Sequence, residues 1–352
     1  MGARSSQSRG PGLNKTDGHF LEYFRNTFTG GGGADSGPLP VPPGITASGG
    51  TTYVPGNGYK YHRFAEPNSD NFVISALSPQ SPKNKIDILI VAGGGGNATP
   101  APYSGGGGAG GVVHSVNVTA VTGTYPIGVG AGGATGPNTH NNGADSTFAG
   151  HPIGTITAKG GGYGGYYPGN NATPGGSGGG KQDSTDSSGT GTQPAQNPAW
   201  TPQPGFNQYG NPGGAGGRTG AYQAPGGGGA GEVGGSAPAA GGSAPGGYGG
   251  RGQPIPGFEY PLIGLGPIDV PQQGNSPTSN HYGGGGMGWG YVINPDATRM
   301  RAYGGGGTNN KGDAINPDVH GPQAGTDGLG GGAGASGGGK GGDGVVVIRY
   351  LT

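Results

Sequence analysis

The chain has 352 residues, of which 95 are glycine and 33 proline, with 17 basic residues balanced by 17 acidic ones, 29% hydrophobic residues and no cysteine. Zero net charge leaves no field to steer the chain toward nucleic acid or anionic lipid, so neither partner is expected, and without thiols there is neither a disulfide framework nor a thiolate metal site. Glycine and proline at this density usually mean low complexity or disorder, but only 10% of the residues are charged and the apolar residues are gathered into short blocks, which argues for order.

Residues 1–50 read as an N-terminal docking arm with a Pro/Gly linker. The arm carries an aromatic segment in which Phe20, Leu21, Tyr23, Phe24 and Phe28 are the assembly-docking candidates, and the run Gly30 to Gly33 and the proline-rich Pro38 to Pro43 follow it. Phe20, Phe24 and Phe28 recur at i, i+4 and i+8, which fits a short helix or an extended arm with aromatic anchors. The alternative is that these rings pack on the protein's own body. Met1 to Ser6 fits the N-myristoylation pattern, but a single acyl chain binds a membrane only marginally and no polybasic cluster accompanies it, so no anchor is assigned. No apolar run reaches signal-peptide or membrane-span length, and an extracellular location would be reached by lysis or a signal-independent route.

Residues 51–352 read as one glycine-rich β domain. In its strand-rich part, 51–159, Tyr59 to Phe64 and Asn71 to Ser75 are half-buried strands separated by turn residues, and Ile86 to Ala92 is a fully apolar strand. Val112 to Thr119, Gly123 to Gly130, Ser146 to Phe148 and Thr155 to Ala158 follow as short strands. From 160 to 344 glycine runs dominate, broken by polar and aromatic insertions, and Val345 to Tyr350 opens the closing strand, 345–352. Glycine and proline cost roughly 1 and 3 kcal/mol per residue in a helix interior, so almost no α-helix is expected.

A run such as Gly304 to Gly307 has no side chain to bury, and ordering its backbone costs roughly 1–2 kcal/mol per residue. Only its own amides and carbonyls can offset that. Extended helices of the polyproline II type make no internal hydrogen bonds, but packed side by side and without Cβ atoms they approach closely enough to bond to one another. A bundle of such polyglycine helices, folded back at the insertions, is the expectation for 160–344.

Catalytic chemistry is hard to find. Gly128 to Gly133 comes near the GxGxxG fingerprint, but the helix it must open cannot form here. Gly339-Lys340 lacks the Ser/Thr of a phosphate loop, the seven histidines are scattered without zinc-ligand spacing, and the loop aspartates lack EF-hand spacing. There is no GxSxG elbow. No cofactor, no metal and no enzymatic activity are expected.

The ordered pieces Leu89 to Gly96 (LIVAGGGG), Gly105 to Val113 (GGGGAGGVV), Thr122 to Gly133 (TGTYPIGVGAGG), Gly143 to Phe148 (GADSTF), Thr157 to Gly165 (TAKGGGYGG) and Gly341 to Tyr350 (GGDGVVVIRY) resemble the glycine-rich domain of tail-fibre, adhesin and other virion structural proteins of tailed bacteriophages. The resemblance covers roughly residues 55–352. It implies an all-β fold, with β-sandwich-like strands framing the polyglycine bundle, and variable loops at the bundle's end that contact the host. Tyr166, Tyr167, Trp200, Tyr209, Tyr260, Tyr282 and Trp289 fall in the insertions and are the candidate host-contact residues, since rings offer large contact area at low entropic cost. Packing along the flanks of the bundle explains them equally well.

The expected function is therefore that of a non-enzymatic bacteriophage virion protein (tail fibre, adhesin, spike or decoration), located in the virion and forming a homo-oligomer with other virion proteins as partners. A host surface glycan or outer-membrane protein is its candidate receptor, and no membrane insertion is expected. The alternative is a self-assembling extracellular fibre or surface-layer subunit of a microbe, in which the arm of one copy adds a strand to the next.

Overall fold

The computed structural model describes residues 43–352 except 68–69, 98–103, 137–138, 167–170, 182–187, 194–195, 217–222, 238–245, 266–279, 291–302, 309–323 and 336–338. The chain divides into units 1–43 and 44–352. The docking candidates Phe20, Leu21, Tyr23, Phe24 and Phe28 lie outside the described residues.

Two antiparallel sheets organise the second unit. The first runs in the order β1 (Thr46–Ser48), β4 (Asn71–Ala76), β7 (Gly123–Gly128), β10 (Ser146–Phe148), β11 (Ile156–Ala158). The second runs β12 (Phe206–Tyr209), β6 (Val112–Thr119), β5 (Lys85–Val91), β15 (Val345–Leu351), β3 (Tyr59–Ala65), β2 (Thr51–Tyr53). Short pairs, β8 (Thr135–Gly136) with β9 (Thr139–His140) and β13 (Gln253–Pro254) with β14 (His281–Tyr282), complete the named strands among the described residues. Among the described residues the only helical turns are the 3-10 type, at Ser81–Lys83 and Tyr260–Ile263. At the start of the second unit β1 pairs with β4, and Ile45 and Ala47 are buried.

The six-stranded sheet is covered on both faces. Ile86, Ile88, Ile90, Val346 and Ile348 pack toward Phe72, Tyr125 and Phe148 of the other sheet, and Leu89, Val91, Val345 and Val347 pack toward Ile255, Phe258 and Tyr282. Because successive side chains of a strand point to opposite faces, a strand covered on both sides must be apolar at every position. That is why β5 and β15 read as nearly continuous apolar runs.

Each of those runs carries one charge in its middle, and the two charges meet. Arg349 Nε donates to Asp87 Oδ2 at 2.9 Å, and the two side chains are only 13% and 12% exposed. The guanidinium lies between rings, 4.5 Å from the centroid of Tyr59 and 4.8 Å from that of Phe258, and its Nη1 donates to Gly257 O at 2.5 Å. Asp87 Oδ1 accepts from Asn117 N at 2.8 Å, where a β-bulge holds Asn117 at φ 58°. His114 stands edge-on to Phe258 at 5.5 Å, and burial, only partly opposed by the Asp87 charge, pushes its pKa down to about 4. It is neutral at pH 7.

Beyond the strands, glycine segments form a block whose hydrogen bonds follow a rule of three. Gly105, Gly108 and Gly111 donate to Gly165, Gly162 and Lys159; Gly106 and Ala109 donate to Pro225 and Gly228; Gly107 and Gly110 donate to Ala333 and Gly330, all at 2.7–3.0 Å. Every third amide thus returns to the same neighbouring segment. The carbonyls serve three more: Gly106 and Ala109 accept from Gly180 and Ser177, Gly108 and Gly111 from Gly95 and Ala92, and Gly107 from Gly286. One seven-residue segment is thereby bonded to six neighbours. Gly93 to Asn97 repeats the pattern, with Gly93 and Gly96 donating to Ala144 and Asn141, and Gly94 and Asn97 to Gly342 and Gly339.

Apart from Ala109, the segment Gly105 to Gly111 is glycine, and a side chain would not fit at its glycine positions. A Cβ on Gly106 would lie 2.0 Å from Gly286 O, one on Gly132 1.8 Å from Gly341 O, and one on Gly107 2.3 Å from Gly95 O. These contacts are with backbone, which cannot step aside as a flexible side chain can.

Candidate functional site

One end of the glycine block is continuous with the sheets: Ala92 follows β5, Gly111 precedes β6 and Gly344 precedes β15. The opposite end gathers Asn97, Ser104, Tyr166, Ala224, Trp289 and Ala335. Asn97 bridges Gly164, and Ser104 bridges Tyr166. Trp289 N donates to Ser104 O at 3.0 Å, and Ala224 N to Trp289 O at 2.8 Å. Asn97 is buried, with Nδ2 donating to Gly105 O at 3.0 Å and Gly334 O at 3.2 Å, so it stands in for amides that the block lacks at its rim. Lys181, also buried, donates to Asn171 Oδ1.

Four of the candidate host-contact rings are buried within the chain itself. Trp200 is 1% exposed in the core between the sheets, and its Nε1 donates to Gly154 O at 3.1 Å. Tyr260 and Tyr282 pack edge to face in the second core, donating their hydroxyls to His281 O and Phe258 O, and burial raises the pKa of both. Trp289 is 3% exposed and packs between Ala224 and Ala335. Three of these rings, Trp200, Tyr260 and Tyr282, bond a backbone carbonyl through their one polar atom. Tyr209 is half-buried in β12 against the second core, Tyr166 is half-buried beside Ser104, and Tyr167 lies outside the described residues.

Sequence reasoning missed a polar clamp at the exposed margin of β11. Gln193 is fully buried; its Oε1 accepts from Lys159 N at 2.6 Å and its Nε2 donates to Thr157 O at 3.1 Å. Asn197, at φ 60°, brackets Thr157 from the other side, accepting from its N at 2.7 Å and donating to its O at 2.8 Å. Two side-chain amides thus act as an extra strand and close the edge of the first sheet. The Gln/Asn/Pro-rich stretch before Trp200 was the available signal, since side-chain amides match the donor and acceptor spacing of a peptide.

Among the described residues no three His, Asp or Glu side chains gather to hold a metal ion, and no helix is long and apolar enough to cross a membrane. Apart from half-buried Tyr166, the residues gathered at the end of the block are buried. A family model described as a glycine-rich domain matches residues 69–351, from before β4 to the last residue of β15. The chain belongs to this glycine-rich domain family. The glycine-rich domain match takes in the whole hydrogen-bonded block and both sheets apart from β1, β2 and β3, the strands that lie before residue 69. A search of curated proteins returns no match to the chain.

Proposed function

We propose that this glycine-rich domain is a non-enzymatic structural protein of a tailed-bacteriophage virion, in which residues 1–43 dock to the particle and the domain projects from it toward the host. The glycine block is, in this reading, a bundle of polyglycine helices of the polyproline II type, and it serves as a stiff spacer. The observation that carries the reading is the rule of three in the bonds of Gly105 to Gly111, because a three-residue return is the repeat of a helix with three residues per turn. The glycines of 93–96 and 105–111 stay out of the left-handed φ region, which suits such a helix. A segment bonded to six neighbours resists bending in every direction, which is what a projecting part needs. Contact with a host glycan or outer-membrane protein falls, in this reading, to the end of the block, with half-buried Tyr166 as the aromatic candidate there.

Removal of residues 1–29, with its Phe20, Leu21, Tyr23, Phe24 and Phe28, is expected to leave the domain folded and to abolish incorporation into particles, scored by electron microscopy and by the protein content of purified virions. Filaments assembled by the purified full chain alone would instead favour the surface-fibre alternative.

A further inference from the structure

The open edge of the sandwich carries a groove of about 410 Å³ beside the point where β12 stops. β12 pairs with β6 only as far as Ser115, opposite Phe206, so the rest of β6, Val116 to Thr119, runs on past it; this part stays paired with β5, Val116 N donates to Gly205 O at 3.2 Å, and His151 Nε2 bonds Thr119 O at 3.2 Å. Val116, Ile153 and Pro204 give the groove apolar walls, and Lys85, Asn117 and Gln203 bring polar groups to it. Its volume falls in the roughly 300–1,000 Å³ range of small-molecule sites.

Two features point to a ligand. Ser115 lines the groove, is 1% exposed, and its hydroxyl has no hydrogen-bond partner. A buried hydroxyl without a partner is costly, and Ser115 stands two residues from Val113, on the face that packs into the core, where an alanine would fit at no such cost. The second feature is charge. Lys85 is the one ionised group on the groove wall, with no carboxylate among the lining residues, and its Nζ donates to Thr119 Oγ1 at 2.7 Å, leaving further N–H donors for a ligand.

We propose that this groove binds a single acidic sugar residue. The pyranose lays its C–H face on the Val116, Ile153 and Pro204 wall, one hydroxyl meets Ser115 Oγ, and the carboxylate faces Lys85. The site belongs to the sandwich and not to the end of the glycine block, so it stands or falls separately from the virion reading.

The test is a titration of the purified full chain with glucuronate, followed by the amide signals of Val116 to Thr119 and Gly205 and the Trp200 indole. Saturable shifts confined to these groups are expected, with glucose binding more weakly. Ser115→Ala and Lys85→Gln should each weaken glucuronate binding roughly fivefold, the value of about one net hydrogen bond. Since the buried Ser115 hydroxyl has no partner and is costly, Ser115→Ala should raise the melting temperature or leave it no lower, which separates lost binding from lost folding. No saturable shift, shifts elsewhere, or binding that neither variant weakens would overturn the proposal; glucose binding as tightly as glucuronate would overturn its acidic part.

Discussion

Gly106→Ala should cost the domain at least about 3 kcal/mol, the upper part of the range for overpacking a close-packed interior. The new methyl would sit 2.0 Å from Gly286 O and 2.9 Å from Gly227 N, so the segments must separate. That separation strains the bond from Gly227 N to Gly286 O and the one from Gly286 N to Gly107 O, each 2.9 Å now and each worth about 0.5–1.5 kcal/mol net. Alanine narrows the unfolded ensemble and so favours folding by about 0.4–1 kcal/mol, too little to reverse the sign. The matched control is Gly123→Ala in β7, where the nearest atom to an added Cβ is Tyr125 Oη at 3.6 Å. Thermal unfolding should place Gly106→Ala at least about 5 °C below the control. Equal stability of the two variants would mean that the block tolerates side chains and is not close-packed.

The second large effect concerns the charges buried in the apolar strands. Asp87→Ala removes the partner of Arg349 and leaves a guanidinium among Tyr59, Phe258 and the Gly257 carbonyl, and it orphans the Asn117 amide. Breaking a buried pair from one side costs about 3–5 kcal/mol, whereas replacing both members with apolar groups of similar size is often neutral. Denaturant unfolding should therefore show a large loss for Asp87→Ala and recovery of most of it in the double variant Asp87→Leu with Arg349→Met. The Asn117 amide, still without its acceptor, sets the part that does not return. A double variant as unstable as Asp87→Ala would show that the pair contributes through its own attraction and not through the charge left unmatched.

Much of the sheet framework is legible in the sequence because the hydrophobic effect writes it there. β5 and β15, buried on both faces, are the two longest apolar runs, and β6 and β10 keep the bounds that their turn residues mark. β1 and β12 are not legible. Thr46–Ser48 and Phe206–Tyr209 are short, polar edge strands whose existence depends on a partner distant in the chain, β4 and β6 respectively. The pairing within the glycine block is invisible for a different reason: identical residues carry no label, so which run bonds to which is decided by loop lengths and by the strands that anchor each run. The buried rings illustrate the same limit from the other side. Trp200, Tyr260, Tyr282 and Trp289 sit in turns and short segments with no period, so nothing in their spacing separates a ring that fills a gap from a ring that meets a partner. Asp87 and Arg349 were findable, as the lone charges in the middle of two apolar runs that must share a sheet.

The account rests on main-chain bonds across an interior without side chains, and amide hydrogen exchange reads those bonds directly. The amides of Gly105 to Gly111 should exchange as slowly as those of β5 and β15, at rates set by opening of the whole domain. Exchange of these seven amides at the rate of an unfolded chain, while β5 and β15 stay protected, would contradict it.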